Sequence, residues 1–189
     1  RAAVSGHTPV LHGVLPPSEQ LPRGALLVQA IEGRPARLPH DLPALAAALA
    51  ALHALPLPEA AARAPLLNAT DPLQALVHEI DAQAAHLGAA GLPAPVMLAV
   101  EGERQRLQTA LESHNRPARC LIAFDAHPGN FIVQRHDHAV LVDLEKCRYA
   151  YPGLDLAHAT LYTSTTWDLD TQAVLTVDEV LGFYAAWAQ

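Results

Sequence analysis

The chain has 189 residues, 51% of them hydrophobic and 16% charged, with a formal net charge of -7; a chain of this length and make-up buries a real core and is not a disordered segment. The acidic balance argues against a nucleic-acid partner and is compatible with a cationic small-molecule substrate. No apolar run reaches membrane-spanning length and none reads as a signal peptide, so no membrane partner is expected, and two distant cysteines, Cys120 and Cys147, point to a reduced, cytoplasmic setting.

In chain order, residues 8–31 read as strand, Pro-rich loop and strand, the second being the apolar run 25–31, which stops at Glu32-Gly33-Arg34-Pro35. Taken alone, that run is an ordinary buried strand with a turn. Asp41 is placed to cap a helix in which Leu42, Leu45, Leu49 and Leu52 recur at helical spacing, ending before Pro56. Asp71-Pro72 is a stronger start, because Asp accepts from free amides and Pro fits the first turn. Leu73, Leu76, Val77, Ile80, Ala84 and Leu87 then form one stripe that Gly88 can end. A third helix is expected over 95–114, with Val96, Val100, Leu107 and Leu111 facing inward. These stripes read as core and need no cofactor, and no repeat of solenoid period is present.

The chemistry lies between Leu121 and Asp143. An apolar strand delivers Asp125 into a tight loop holding Pro128 and Gly129, Asn130 closes the loop, and a short hairpin ends at Asp143. An Asp before a turn is, by itself, most simply a turn or cap residue. The set Asp125, Pro128, Asn130 and Asp143 is instead the skeleton of a phosphoryl-transfer site, with one carboxylate to receive a hydroxyl proton and an amide plus a second carboxylate to hold Mg2+ on a nucleotide. A hairpin leaves at Asn130 and returns at Asp143, which puts both at one end of the ribbon.

These residues resemble the aminoglycoside phosphotransferase and choline kinase family, small-molecule kinases with a protein-kinase-like fold. Its members carry His-Gly-Asp-x-x-Pro-x-Asn, then a strand ending in Asp, then Asp-Leu-Ala. The matching stretches here run from Ala123 to Asn130, from Val140 to Asp143, and over Asp155-Leu156-Ala157. The resemblance implies an α+β fold with a partial small β lobe and hinge over 1–36. A mainly helical large lobe with a catalytic β-hairpin follows over 37–189, incomplete at its end. It also implies ATP-dependent, Mg2+-assisted transfer of the γ-phosphate to a hydroxyl of an aminoglycoside-like compound, amino alcohol or sugar. Asp125 is then the base, Asn130 and Asp143 the metal ligands, and Asp155 an anchor beneath the loop. Gln29, Ala30 and Ile31 would form the hinge at the adenine, with Ile132 and Val142 as apolar contacts to the nucleotide. Ala123 stands where the family has His, Leu144 where it has Phe, and His127 where protein kinases have Lys. No Gly-rich loop or phosphate-binding Lys precedes the hinge and the chain opens at Arg1, so a fragment of a longer protein is expected.

Two rival readings exist. His136-Asp137-His138, joined by His114 or His127, offers ligands for a zinc or manganese hydrolase, although a polar hairpin turn is the simpler account. A pseudokinase module that binds nucleotide without transferring phosphate is the other, but it has no chemical need for Asp125, Asn130 and Asp143 together. Trp167, Asp168, Asp170, Asp178 and Glu179 begin the region that would hold an acceptor.

Overall fold

The computed structural model describes residues 1–113, 115–167 and 172–189. His114, a candidate metal ligand, and Asp168 and Asp170, candidate acceptor contacts, lie outside them. The fold is α+β, as expected: the described residues form three small antiparallel sheets and six α-helices.

Strands β1 (Leu11–Leu15) and β2 (Ala25–Val28) pair as a hairpin, Leu15 opposite Ala25. Gly24 makes the return possible: its φ is +67° and a Cβ there would stand 2.6 Å from the Leu15 carbonyl oxygen. The apolar run is not buried as expected. Leu26 and Leu27 are 66% and 61% exposed, because a two-stranded ribbon cannot cover both of its own faces. β3 (Arg34–Pro35) then joins β5 (Phe131–Val133) and β6 (Ala139–Leu141) in a sheet of order β3-β5-β6, and β4 (Cys120–Ile122) pairs with β7 (Arg148–Ala150).

Helix α1 (Leu42–His53) is the centre of the core. Leu42, Leu45, Leu49 and Leu52 are buried as their spacing requires, and so are Ala44, Ala46 and Ala48, so the helix is enclosed on more than one face. It packs against α6 (Val177–Trp187), whose Phe183 is buried, and against Leu121, Phe131 and Leu141 of the sheets. Each fully buried Leu or Phe contributes about 1.5–3 kcal/mol. Asp41 does not cap α1 as expected. Its carboxylate pairs with the Arg34 guanidinium at 2.5 and 3.0 Å and accepts the Arg37 N–H at 2.6 Å, so the charged partner outcompetes the helix amides.

The Asp71 cap is as expected: its carboxylate accepts from the Leu73 and Gln74 amides at the start of α2 (Pro72–Ala84). Helix α2 stops four residues before Gly88, and the left-handed residue that follows is Gly91. α3 (Ala94–Glu112) fully buries no residue: of the inward face expected, Val100, Leu107 and Leu111 are half-buried and Val96 is exposed. Periodicity identifies which side of a helix meets a neighbour, and α3 meets chiefly α2, held by Arg104 on Asp81 at 2.8 Å. The chain closes with α4 (Gly153–Thr160), α5 (Tyr162–Thr166) and α6. Among the described residues no helix is long and apolar enough to cross a membrane.

Candidate functional site

Asp125 is positioned by the backbone that precedes it. β4 ends at Ile122, and Phe124 then takes φ +64°, a conformation a bulky residue seldom adopts unless its surroundings impose it. Asp155, on the first turn of α4 and fully buried, imposes it. One carboxylate oxygen accepts the Phe124 N–H and the other the Ala123 N–H, each at 2.8 Å. His53, at the end of α1, adds a third donor to Asp155 at 3.0 Å, and Trp187 of α6 donates its indole N–H to the other His53 nitrogen at 3.0 Å. Three helices thus converge on the two peptide units before Asp125.

The Asp125 carboxylate is mostly shielded, 15% exposed, and sits among nitrogen groups. Lys146 Nζ lies 2.6 Å from one oxygen and His158 Nδ1 3.8 Å from the other. The His127 ring packs edge-on against Trp167, 4.8 Å between centroids, and 5.9 Å from His158. Burial pushes the His127 imidazole below its usual pKa, against the opposing pull of Asp125. Its buried Nδ1 has no partner among the described residues.

Pro128–Asn130 form a single 3-10 turn. Asn130 donates its side-chain amide to the Asp125 carbonyl at 2.9 Å, which leaves the side-chain oxygen as the face available to a cation. The Asn130 carbonyl accepts the Val142 N–H at 2.8 Å, so the end of the β5–β6 hairpin is tied to the residue before Asp143. Asp143 then leaves the ladder at φ +58° with its side chain exposed. An amide oxygen and a carboxylate at one hairpin end are hard donors of the kind Mg2+ takes, with water and phosphate oxygens completing the shell.

Beside this end lies a cleft of about 600 Å3 between the β1–β2 hairpin and the β5–β6 sheet. Gln29, Ile31, Ile132, Val142 and Asp143 line it, with Leu11, Leu26 and Val28 adding an apolar wall. Thr8 also lines it, its buried hydroxyl having no partner among the described residues. Ala30 does not line the cleft. Its neighbours Gln29 and Ile31 do. Strand alternation in β5 turns Ile132 toward the cleft while Phe131 and Val133 enter the core. The Gln29 side chain is already engaged, accepting the Val10 N–H at 3.2 Å. A separate hollow of about 660 Å3 at Glu32, Gln134 and His138 lies at the opposite end of the hairpin and holds none of these residues.

Among the described residues the histidine-rich turn forms no metal-ligand cluster. His138 stacks on His7 with centroids 4.4 Å apart and bonds the Gly6 carbonyl, and His136 occupies the left-handed turn at φ 59°. Among the described residues no group of three or more His, Cys, Asp and Glu side chains is placed to hold a metal. Sequence reasoning missed Lys146 as a partner of Asp125, and also His158, His53 and Trp187. One signal was present: His53 continues the Leu45–Leu49 stripe of α1, a polar residue on an inward face.

A model of the phosphotransferase enzyme family matches residues 2–188. No curated protein matches the sequence. Among solved structures, the chain is similar to a choline/ethanolamine kinase family protein from Mesorhizobium loti, with TM-score 0.64 and 18% identity. That match covers 98% of this chain and 57% of the other. An ethanolamine kinase from Plasmodium vivax gives TM-score 0.63 at 13% identity, covering 98% and 54%. An aminoglycoside phosphotransferase bound to ADP gives TM-score 0.55 at 16% identity, covering 96% and 63%. These likenesses are of fold, and the chain spans a little over half the length of the two kinases.

Proposed function

Since the chain belongs to the phosphotransferase enzyme family, we propose that it moves the γ-phosphate of ATP to a hydroxyl of a small molecule, with Asp125 as the base and Mg2+ held by Asn130 and Asp143. The observation that supports this reading is the backbone tie between Asn130 and Val142 at 2.8 Å, which joins the Asn130 loop to the strand end where Val142 and Asp143 line an apolar cleft large enough for a nucleotide. In this reading residues 1–36 belong to the nucleotide-side lobe and hinge, and residues 37–189 to the catalytic lobe. Ile132 and Val142 give the base an apolar surface, and backbone groups of the segment 29–31, which follows the last residue of β2, meet its polar edge.

Bound Mg2+ would neutralise the phosphate oxygens. The chain's own residues do the rest. Asp125, fixed from below by Asp155, orients the acceptor hydroxyl and takes its proton as the new oxygen–phosphorus bond forms. Alignment and charge neutralisation supply most of the rate. Asp125 is flanked by the Lys146 ammonium and the His158 imidazole, and the Trp167 indole packs on the nearby His127, so the acceptor hydroxyl is approached over aromatic and basic surface. The test is ATP turnover by the intact protein against a panel of amino alcohols, aminoglycosides and sugars. Turnover with any of them supports the reading, and nucleotide binding without turnover on every acceptor contradicts it.

A further inference from the structure

We propose that Lys146 is a catalytic residue of this site, its ammonium bridging the Asp125 carboxylate and the phosphoryl group in transfer. The inference rests on the phosphotransferase reading above and assigns a role within it.

Lys146 is the one lysine of the chain. It stands on the loop between β6 and β7, three residues after Asp143, and places Nζ 2.6 Å from Asp125 Oδ2. The side chain is 49% exposed, so this is not a sealed structural pair. Exposed ion pairs add little to stability and cost side-chain entropy to hold. A short contact on the shielded carboxylate at the centre of the site therefore calls for a chemical reason.

The charge is well supported where it stands. The Asp125 hydrogen bond raises the Lys146 pKa first, and the carboxylates of Asp125, Glu145 and Asp143 add to it. His127, two residues beyond Asp125, does not supply a comparable charge, because burial favours its neutral form. An ammonium has three donors and no acceptor. One can stay on Asp125 while another reaches an equatorial oxygen of the γ-phosphoryl group, where charge spreads in the transition state.

The step balances without any further reactant. The acceptor oxygen bonds to the γ-phosphorus, the bond from phosphorus to the β-bridging oxygen breaks, and the hydroxyl proton passes to Asp125 as ADP leaves. Lys146 keeps its proton throughout. Before nucleotide arrives, its contact holds the Asp125 carboxylate in place.

The test uses the intact protein with an acceptor that it turns over. Lys146→Met keeps length and removes charge, and its kcat is expected to fall by roughly 10²-fold or more, as for loss of a preorganised charge donor. Nucleotide affinity and melting temperature should stay close to wild type. In Lys146→Ala, added methylamine or ethylamine should restore part of the turnover in proportion to its concentration while leaving the wild type unchanged. Near-normal kcat in Lys146→Met, or a loss that follows the melting temperature and shows no amine rescue, overturns the assignment. Wild-type turnover that is abolished by Asp125→Asn but indifferent to Lys146→Met overturns this inference alone, whereas an inactive wild type overturns the parent reading with it.

Discussion

Trp187 donates its indole N–H to Nδ1 of His53 across 3.0 Å, and this contact decides which His53 nitrogen carries the proton. Indole only donates, so Nδ1 must accept and Nε2 must carry hydrogen, which points it at Asp155. Asp155 in turn holds the amides of Ala123 and Phe124. Trp187→Phe removes the donor and keeps most of the packing. Leaving buried polar groups unmatched costs about 1–3 kcal/mol, so a lower melting temperature is expected. Turnover should fall with it while nucleotide affinity holds. His53→Gln, whose amide can both accept and donate, should retain more activity than His53→Leu. Equal activity in the two His53 variants would show that the contact does not position the loop.

Metal binding is tested at Asp143. Calorimetric titration with a nonhydrolysable ATP analogue should show tighter binding with Mg2+ than without, and Asp143→Ala should remove that difference. The metal-free affinity should change little, because the apolar lining of the cleft is intact. Unchanged Mg2+ dependence in the variant would remove Asp143 from the metal site.

Gly33 supports the cleft from behind. A Cβ at this position would meet Ile132 Cγ2 at 2.6 Å and the Val133 carbonyl oxygen at 2.8 Å. Gly33→Ala must displace backbone or push Ile132 into the cleft, an overpacking that costs about 1–3 kcal/mol. Thermal melting and nucleotide titration should both report a loss, and a variant that melts and binds as the wild type does would contradict the packing.

The Arg34–Asp41 pair predicts an acid-side weakness. The Arg34 hydrogen bond, with help from His40 and the Arg37 amide, holds the Asp41 carboxyl far below its usual range against the opposing effect of burial. A carboxyl lowered in the folded state binds fewer protons there than in the unfolded chain. Its contribution is therefore complete above about pH 4, where the unfolded carboxylate is ionised, and is lost as pH falls through the native value. The urea midpoint of the wild type should drop over that window, and that of Asp41→Asn should start lower and drop less. Parallel profiles would contradict the assignment.

What was legible in the sequence was local. The leucine spacing of α1, the Asp71 cap and the hairpin between Asn130 and Asp143 depend on residues close along the chain, and the structure has all three. What was not legible depends on distant partners. Lys146 meets Asp125 across 21 positions and His53 meets Asp155 across 102, and neither spacing leaves a pattern to read. Asp41 looked like a cap because Arg34 could not be seen reaching it.

The central claim is that Asp125 takes the proton of an acceptor hydroxyl. Asp125→Asn keeps the size and the backbone carbonyl that Asn130 holds, and it removes the proton acceptor. The measurement is kcat of the variant on an accepted substrate, with nucleotide affinity and melting temperature from the same preparation. The account predicts a fall in kcat of roughly 10²-fold or more, with affinity and stability close to wild type. Turnover near the wild-type value would contradict it.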